Sequence, residues 1–160
     1  MNKTKVLFVC MGNICRSPSA QGVFEKLLAD QGLKEQFEVD SAGTHSYHVG
    51  SLPDSRSIEC AEKRGIDLTN QRARKVKSRD FERFDRIVAM DNDNLKNLQN
   101  ICPQDKIKTL STMMSYAPQS RYNEVPDPYY GGSQGFDLVL DLLETANKSL
   151  LEELIATAEF

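Results

Sequence analysis

The sequence lacks any apolar run long enough to cross a membrane, and its first apolar run, residues 6–10, is too short for the core of a signal peptide. It also lacks an excess of positive charge. The net charge is -3 and the pI is near 5.4, which argues against nucleic acid as the main partner. We therefore expect a cytoplasmic chain that binds neither membrane nor nucleic acid.

Paired cysteine spacings are missing as well. None of the four cysteines forms a Cys-x-x-Cys pair of the kind found in zinc sites; they are Cys10, Cys15, Cys60 and Cys102. Both histidines, His45 and His48, fall in one predicted loop with no metal-binding cluster around them. The sequence thus predicts no metal and no other cofactor, and cytoplasmic cysteines are kept reduced.

Strand and helix patterns alternate along the 160 residues, which is typical of a parallel sheet covered by helices. We find no internal repeat, linker or low-complexity segment. The sequence therefore predicts an α/β fold: a single domain over residues 1–160, with a four-stranded parallel sheet and helices on both faces. A monomer is the default expectation for a compact, acidic domain of this length.

The strands are predicted at residues 5–10, 37–41, 86–90 and 106–110. One helix is expected to begin at Pro18 and stop at Gly32, a second to open at Pro53 and stop at Gly65, and a third to be capped by Asp91. Residues 112–134 show no periodicity and predict a long loop. A final helix carries an apolar stripe of Phe136, Val139, Leu140, Leu143, Leu150, Leu154 and Ile155.

The most informative segment is CMGNICRS, residues 10–17. Cys10 ends a buried strand, and a helix is predicted directly after the loop, with Ser17 as N-cap and Pro18 as first residue. Gly12 and Asn13 tolerate left-handed backbone angles, so the N–H groups of the loop can converge on one anion beside the positive helix end. Such a loop binds a phosphate-like dianion and directs a sulfur at it, which predicts a cysteine-dependent phosphatase.

A Cys-x5-Arg pair also arises by chance, and then Cys10 is a small buried hydrophobe and Arg16 a surface cation. The preceding apolar strand, the Gly-Asn turn and the helix start favour the catalytic interpretation. In it, Cys10 is the nucleophile, and the helix end, the N–H groups and Arg16 favour its thiolate form. The planar fork of Arg16 suits two phosphate oxygens at once.

Three segments in order along the chain resemble the low-molecular-weight protein tyrosine phosphatase family: residues 10–17, residues 40–44 with Val49 and Gly50, and residues 127–131. The resemblance covers essentially the whole chain. It implies a phosphotyrosine-containing protein substrate and a phosphocysteine intermediate. It also implies that Ser17 hydrogen-bonds the thiolate and that Asn13 shapes the loop. The phosphate-binding residues would be Met11, Gly12, Asn13, Ile14, Cys15 and Ser17, with Ser41 supporting the site.

Asp127 opens the Asp-Pro-Tyr-Tyr-Gly segment. On its own, an Asp-Pro pair more often starts a turn than takes part in catalysis. The tyrosines that follow and the family resemblance reverse this preference, so Asp127 is the expected general acid, which later activates water. Tyr129, Tyr130 and Tyr47 are expected to wall the cleft and stack on an aromatic ring, with simple surface packing as the alternative.

Three further features of the sequence bear on how the site works or on its partners. Cys15 is either a packing residue or, as the resemblance implies, the partner of a reversible disulfide that protects Cys10 from irreversible oxidation. Many family members carry histidine where this chain has Gln71; an amide still donates a hydrogen bond, so we expect activity with a changed pH response. The basic run of residues 72–79 is either solvated surface or a docking site for an acidic protein.

Two other functions stay open. An arsenate reductase of the same fold shares the Cys-x5-Arg loop, but it needs two further cysteines close together, and Cys60 and Cys102 fall in different predicted elements. A non-catalytic phosphoprotein-binding module would use the loop for recognition only, although binding needs no nucleophile. Within the phosphatase interpretation, phosphoarginine and small phosphorylated metabolites stay open as alternatives to phosphotyrosine.

Overall fold

The centre of the molecule is a four-stranded sheet built from β1 (Thr4–Cys10), β2 (Phe37–Gly43), β3 (Arg86–Ala89) and β4 (Leu110–Thr112). The computed structural model describes residues 2–129 and 132–157. The strand order is β2-β1-β3-β4, and every neighbouring pair is parallel. The predicted parallel sheet is confirmed.

Helices cover both faces of this sheet. They are α1 (Arg16–Asp30), α2 (Ser55–Glu62), α3 (Asp80–Arg83), α4 (Asn92–Ile101) and α5 (Ser133–Thr157). Successive strand residues point to opposite faces. Val6 and Phe8 of β1 therefore pack in the cluster with α1, α2 and α5, while Leu7 and Val9 pack with α3 and α4. The apolar run of β1 is continuous because both of its faces are buried.

The start of α1 differs from the prediction. The helix begins at Arg16, and its N-cap position is Cys15, which makes no side-chain capping bond. Pro18 lies in the first turn, where its missing N–H costs no helical hydrogen bond. Ser17 is therefore not the N-cap, and its hydroxyl group is available elsewhere.

Other helix boundaries follow local capping. Asp54 accepts a hydrogen bond from the N–H of Arg56, so α2 begins after Asp54 and not at Pro53. Gly32 and Gly65 have φ angles of 69° and 77°, as expected for residues that stop α1 and α2. The predicted cap of α4 is confirmed, because the Asp91 side chain accepts the N–H of Asn94.

The prediction was weakest after α4. Of the strand predicted at residues 106–110, only Leu110 is in a strand: Gln104–Thr109 forms a 3-10 helix, and β4 follows it, paired with residues 87–89. The expected loop of residues 112–134 begins with the last residue of β4, contains a 3-10 turn at Met113–Tyr116 and ends with the first two residues of α5. In α5 the apolar stripe is buried except for Ile155, which is 37% exposed.

Two central strands end beside each other and locate the candidate site. From β1 the chain leaves through α1 to β2, and from β3 it leaves through α4 on the other face to β4. At such a switch point the carboxyl ends of the strands flank a crevice where α/β proteins bind ligands. Cys10 ends β1, and Asp91 follows β3 closely.

Within the described residues, no helix has both the length and the hydropathy needed to span a membrane.

Candidate active site

The loop after β1 places hydrogen-bond donors around the sulfur of Cys10. The N–H of Asn13 lies 3.3 Å from Cys10 Sγ, and Ser17 Oγ lies 3.0 Å from the same atom. Cys10 is 3% exposed, and Ser17 is fully buried. Both groups therefore lie within hydrogen-bond distance of the sulfur.

The carbonyl groups of this loop are bound on its outer side. Those of Cys10 and Met11 accept N–H groups of the segment after β2, at 2.9 and 3.0 Å, and that of Ile14 accepts the N–H of the residue before α2, at 2.8 Å. The C=O and N–H of a trans peptide point in opposite directions, so the N–H groups after these carbonyls face the inside of the loop. Converging N–H groups form a binding site for an anion.

The left-handed backbone predicted for this loop is found at Asn13, with φ at 58°, and not at Gly12. Gly12 matters instead for space, because a Cβ atom there would lie 3.0 Å from the ring of His48. Gly43 is similarly required, since its Cβ would lie 2.8 Å from the carbonyl oxygen of Met11. The loop is therefore packed against the segment after β2.

The side chain of Asn13 holds the turn in place. Its Nδ2 donates to Ser17 Oγ at 2.8 Å and to Ser41 Oγ at 2.9 Å, and its Oδ1 accepts the N–H of Arg74 at 3.0 Å. Both hydroxyl oxygens thus act as acceptors towards Asn13, which leaves their own hydrogens for other partners. The hydrogen of Ser17 can therefore point either to Cys10 Sγ, at 3.0 Å, or to the carbonyl of Ala42, at 3.4 Å.

Gln71 closes this network on the other side. Ser41 Oγ donates to Gln71 Oε1 at 3.3 Å, and Gln71 Nε2 donates to the carbonyl of Pro18 in the first turn of α1 at 3.0 Å. The carboxamide supplies both an acceptor and a donor, and it carries no proton that titrates in the physiological range. The network behind the loop therefore keeps one pattern of donors and acceptors over that range.

Arg16 lies at the side of the loop and is 3% exposed. Its Nη1 donates to Asp91 Oδ2 at 2.6 Å and to the carbonyl of Val125 at 3.0 Å, and its Nη2 lies 3.7 Å from Asp127 Oδ2. Burial alone would lower the pKa of Arg16, but nearby Cys10, Asp91 and Asp127 raise it above its ordinary value. The guanidinium is therefore charged and held in one orientation.

Asp127 stands at the open side of the same cleft, with about a third of its side chain (33%) exposed. Its Oδ1 accepts the N–H of Tyr129 at 3.0 Å. The cleft, of about 290 Å³, is also lined by Met11, Gly12, Ile14, Cys15, Tyr47, His48 and Tyr129. Tyr47 is 69% exposed and stacks on His45 with ring centroids 5.1 Å apart, and Tyr130 lies outside the described residues.

Cys15 is buried in the same loop. Burial, with a smaller contribution from Asp54, raises the pKa of the Cys15 thiol to about 12. It is therefore protonated at neutral pH, unlike a cysteine prepared for nucleophilic attack. Among residues 2–129 and 132–157, no three His, Cys, Asp or Glu side chains are placed to hold a metal ion.

Sequence reasoning missed the roles of three residues: His48, which lines the cleft, and Asp91 and Val125, which hold Arg16. Asp91 was predicted only as a helix cap, although its place just after a central strand was a usable signal. His48 was predicted only as a loop residue, and its ring lies 6.2 Å from that of Tyr129. Val125 contributes a backbone carbonyl, for which no sequence signal exists.

Several known proteins resemble this chain in sequence and in overall fold. The family model for "Low molecular weight phosphotyrosine protein phosphatase" matches residues 5–159. The Schizosaccharomyces pombe protein of that description is 43% identical over 148 residues, covering 91% of this chain and 94% of that protein. The human protein is 40% identical over 152 residues, with 92% and 94% covered. A crystal structure of a protein tyrosine phosphatase from Entamoeba histolytica, with Hepes in its active site, gives a TM-score of 0.93 at 44% identity, covering 96% of this chain and 98% of that one.

The chain therefore belongs to the low molecular weight phosphotyrosine protein phosphatase family. This confirms the resemblance found in the sequence and the predicted enzyme class. The full-length agreement with the Entamoeba structure also confirms the predicted fold class.

Proposed function

We propose that this chain hydrolyses phosphotyrosine in proteins through a phosphocysteine intermediate on Cys10. The observation that carries the proposal is that one cleft holds Cys10 at its base, Arg16 beside it and Asp127 at its open side. A nucleophile, a phosphate-binding cation and a proton donor are the three groups that hydrolysis of a phosphate monoester needs. The descriptions of the fission yeast and human relatives support the substrate class.

In the first step the Cys10 thiolate attacks phosphorus. A P–S bond forms while the bond from phosphorus to the phenolic oxygen breaks, and protonated Asp127 donates its proton to that oxygen. Arg16 and the loop N–H groups bind the non-bridging phosphoryl oxygens, where charge is concentrated in the transition state. Ionised Asp127 is the other product of the step.

The second step reverses these roles. The Asp127 carboxylate takes a proton from water, the water oxygen attacks phosphorus, and the P–S bond breaks to release inorganic phosphate. The departing sulfur is stabilised as a thiolate by the hydroxyl of Ser17 and the N–H of Asn13. The enzyme returns to its starting state with no cofactor consumed.

Steady-state kinetics with four substrates tests the proposal: para-nitrophenyl phosphate, a phosphotyrosine peptide, a phosphoserine peptide and phosphoarginine. We expect turnover of the first two and a higher kcat/KM for phosphotyrosine than for phosphoserine or phosphoarginine, because Tyr129 and Tyr47 present aromatic surface beside the cleft. A preference for phosphoarginine would overturn the substrate class. Binding of phosphotyrosine without turnover would indicate a recognition module.

An arsenate reductase is disfavoured by the positions of the remaining cysteines. Cys60 lies in α2 and packs in the cluster on one face of the sheet, whereas Cys102 follows α4 and packs on the opposite face. A disulfide relay needs its cysteines close together. Arsenate reduction with a thioredoxin system, by protein inert towards both aromatic phosphates, would contradict the phosphatase proposal.

Asp91 has two contacts, the ion pair with Arg16 and the cap of α4, and replacing it by asparagine removes only the first. Asparagine still caps α4, so thermal stability should change little, while Arg16 loses its 2.6 Å ion pair. We expect kcat/KM for para-nitrophenyl phosphate to fall by about 10- to 100-fold, since the guanidinium is less well oriented. The measurement is a comparison of D91N with Asp91→Ala, which loses the cap as well. An unchanged kcat/KM in D91N would show that Arg16 needs no help from Asp91.

Replacing Cys15 by serine tests the proposed disulfide. Peroxide oxidises the Cys10 thiolate to a sulfenic acid. The Cys15 thiol then loses its proton as its sulfur attacks the Cys10 sulfur, and that proton and the sulfenic hydroxyl group leave as water while the disulfide forms. We expect wild type to regain most of its activity with dithiothreitol after prolonged peroxide treatment, and Cys15→Ser to stay inactive because Cys10 proceeds to the sulfinic acid. Cys102→Ser, outside the cleft, is the control. Equal recovery in Cys15→Ser and wild type would remove Cys15 from this role.

A further inference from the structure

We propose that Arg56 is a positioning residue for Asp127. It fixes the peptide of Tyr129, and Tyr129 in turn fixes the carboxylate of Asp127. The inference rests on the proposed function, because it concerns the group that delivers the proton.

The guanidinium of Arg56 is held firmly at the start of α2. Its Nε donates to Asp54 Oδ1 at 3.0 Å and its Nη2 to Asp54 Oδ2 at 2.9 Å, a two-point contact that a planar fork makes well. The same carboxylate caps α2 through the N–H of Arg56. These side-chain hydrogen bonds lower the pKa of Asp54 below its usual value, so the pair stays ionised under ordinary assay conditions.

From this position Arg56 reaches the segment that carries Asp127. Its Nη2 also donates to the carbonyl oxygen of Tyr129 at 2.9 Å. The guanidinium carbon lies 5.5 Å from the centre of the Tyr129 ring and 4.7 Å from that of Phe136 in α5. The guanidinium thus contacts the rings of Tyr129 and Phe136 and also binds the backbone of Tyr129. These contacts together restrain both the side chain and the backbone of Tyr129.

Tyr129 passes this restraint to the carboxylate. Its N–H donates to Asp127 Oδ1 at 3.0 Å, while Asp127 Oδ2 lies on the side of Arg16, 3.7 Å from Nη2. One carboxylate oxygen is thus held and the other faces the cleft. Residues 117–129 form no helix or strand, so side-chain contacts of this kind have to supply the order that regular structure would otherwise provide.

The pair formed by Asp54 and Arg56 also connects the two loops of the site. The N–H of Asp54 donates to the carbonyl of Ile14 in the loop around the sulfur, at 2.8 Å. Arg56 donates to the carbonyl of Tyr129, in the segment that carries the proton donor Asp127. The pair therefore sets how far the proton donor stands from the nucleophile, a distance to which reaction rates are sensitive.

The test compares two esters in Arg56→Gln and Arg56→Lys. Phenyl phosphate releases a poor leaving group that needs its proton early, whereas para-nitrophenyl phosphate releases a good one. We expect R56Q to lower kcat/KM for phenyl phosphate by about 10- to 100-fold and for para-nitrophenyl phosphate by much less. R56K keeps the charge without the planar fork and should lie between R56Q and wild type.

A double variant distinguishes positioning from general damage. If Arg56 acts through Asp127, R56Q should change kcat/KM by less than about twofold once Asp127→Asn is present. Arg64→Gln is the matched control, because Arg64, two residues after α2, pairs with Asp141 and Glu144 of α5 away from the cleft. The ratio of kcat/KM for the two esters in this variant should equal that of wild type. Equal losses with both esters, or a full R56Q effect on top of D127N, would overturn the inference.

The variants show whether the role of Arg56 or the proposed function itself fails. If D127N itself leaves phenyl phosphate hydrolysis unchanged, Asp127 is not the proton donor and the proposed mechanism fails. If D127N is impaired but R56Q and R56K hydrolyse both esters like wild type, only the role of Arg56 is lost. Should R56Q not fold, R56K alone must still show the ester-dependent loss; wild-type behaviour of R56K would then overturn the inference.

Discussion

Replacing Cys10 by serine is expected to abolish phosphatase activity, lowering kcat for para-nitrophenyl phosphate by on the order of 10⁴-fold or more. The N–H of Asn13 and the hydroxyl of Ser17 lie 3.3 and 3.0 Å from the sulfur. They cannot ionise a serine hydroxyl, whose proton is far less acidic than that of a thiol. The measurement is steady-state hydrolysis, with a detection limit low enough to exclude traces of wild type.

The same variant should still bind its substrate. Arg16 is held by Asp91 and the carbonyl of Val125, and a serine oxygen can accept the N–H of Asn13 in place of the sulfur. A phosphotyrosine peptide should therefore bind to Cys10→Ser without being hydrolysed. Cys60→Ser is the matched control, since Cys60 is also buried but lies in α2, outside the cleft. Activity in Cys10→Ser near that of Cys60→Ser would exclude Cys10 as the nucleophile.

Replacing Asp127 by asparagine is expected to give the second largest loss. Asparagine can still accept the N–H of Tyr129, so the backbone contact is kept, but it has no proton to give. We expect kcat/KM for phenyl phosphate to fall by about 10²- to 10⁴-fold, the usual contribution of general acid catalysis. The measurement is kcat/KM over a series of aryl phosphates of graded leaving-group acidity.

The pattern across that series is the informative part. Loss of a general acid harms poor leaving groups most, because a phenolate that is already stable departs without a proton. D127N should therefore show a steeper dependence of kcat/KM on the acidity of the phenol than wild type. A uniform loss across the series would assign Asp127 to holding Arg16, which it approaches to 3.7 Å, and not to proton transfer.

Much of the fold was predictable because its signals are local. The apolar run of β1 reflects burial on both faces, and Gly32, Gly65 and Asp91 mark helix ends through their own backbone or side-chain chemistry. β4 was not predictable in the same way. Only three residues long, it is a strand because residues 110–112 pair with 87–89, and that pairing depends on the rest of the sheet.

In the candidate site, too, the contiguous residues were predictable from the sequence and the distant partners were not. The loop of residues 10–17 is contiguous, so the sequence shows its chemistry directly, although Ser17 turned out to face Cys10 and not to cap α1. The partners of Arg16 are 75 and 109 positions away in the sequence, at Asp91 and Val125. No local pattern reports such pairs. Asp91 is placed there by the strand order, which brings the ends of β1 and β3 together, and Val125 by the hydrogen bond from its N–H to the carbonyl of Met90.

The most direct test of the central claim is to trap the intermediate. Wild type mixed with excess para-nitrophenyl phosphate would be quenched with acid during turnover, digested and analysed by mass spectrometry. We expect the peptide that contains Cys10 to carry one phosphoryl group, at the cysteine, and the same peptide from Cys10→Ser to carry none. Turnover with no phosphoryl group on the protein, or with the group on another residue, would contradict a mechanism that runs through phosphocysteine.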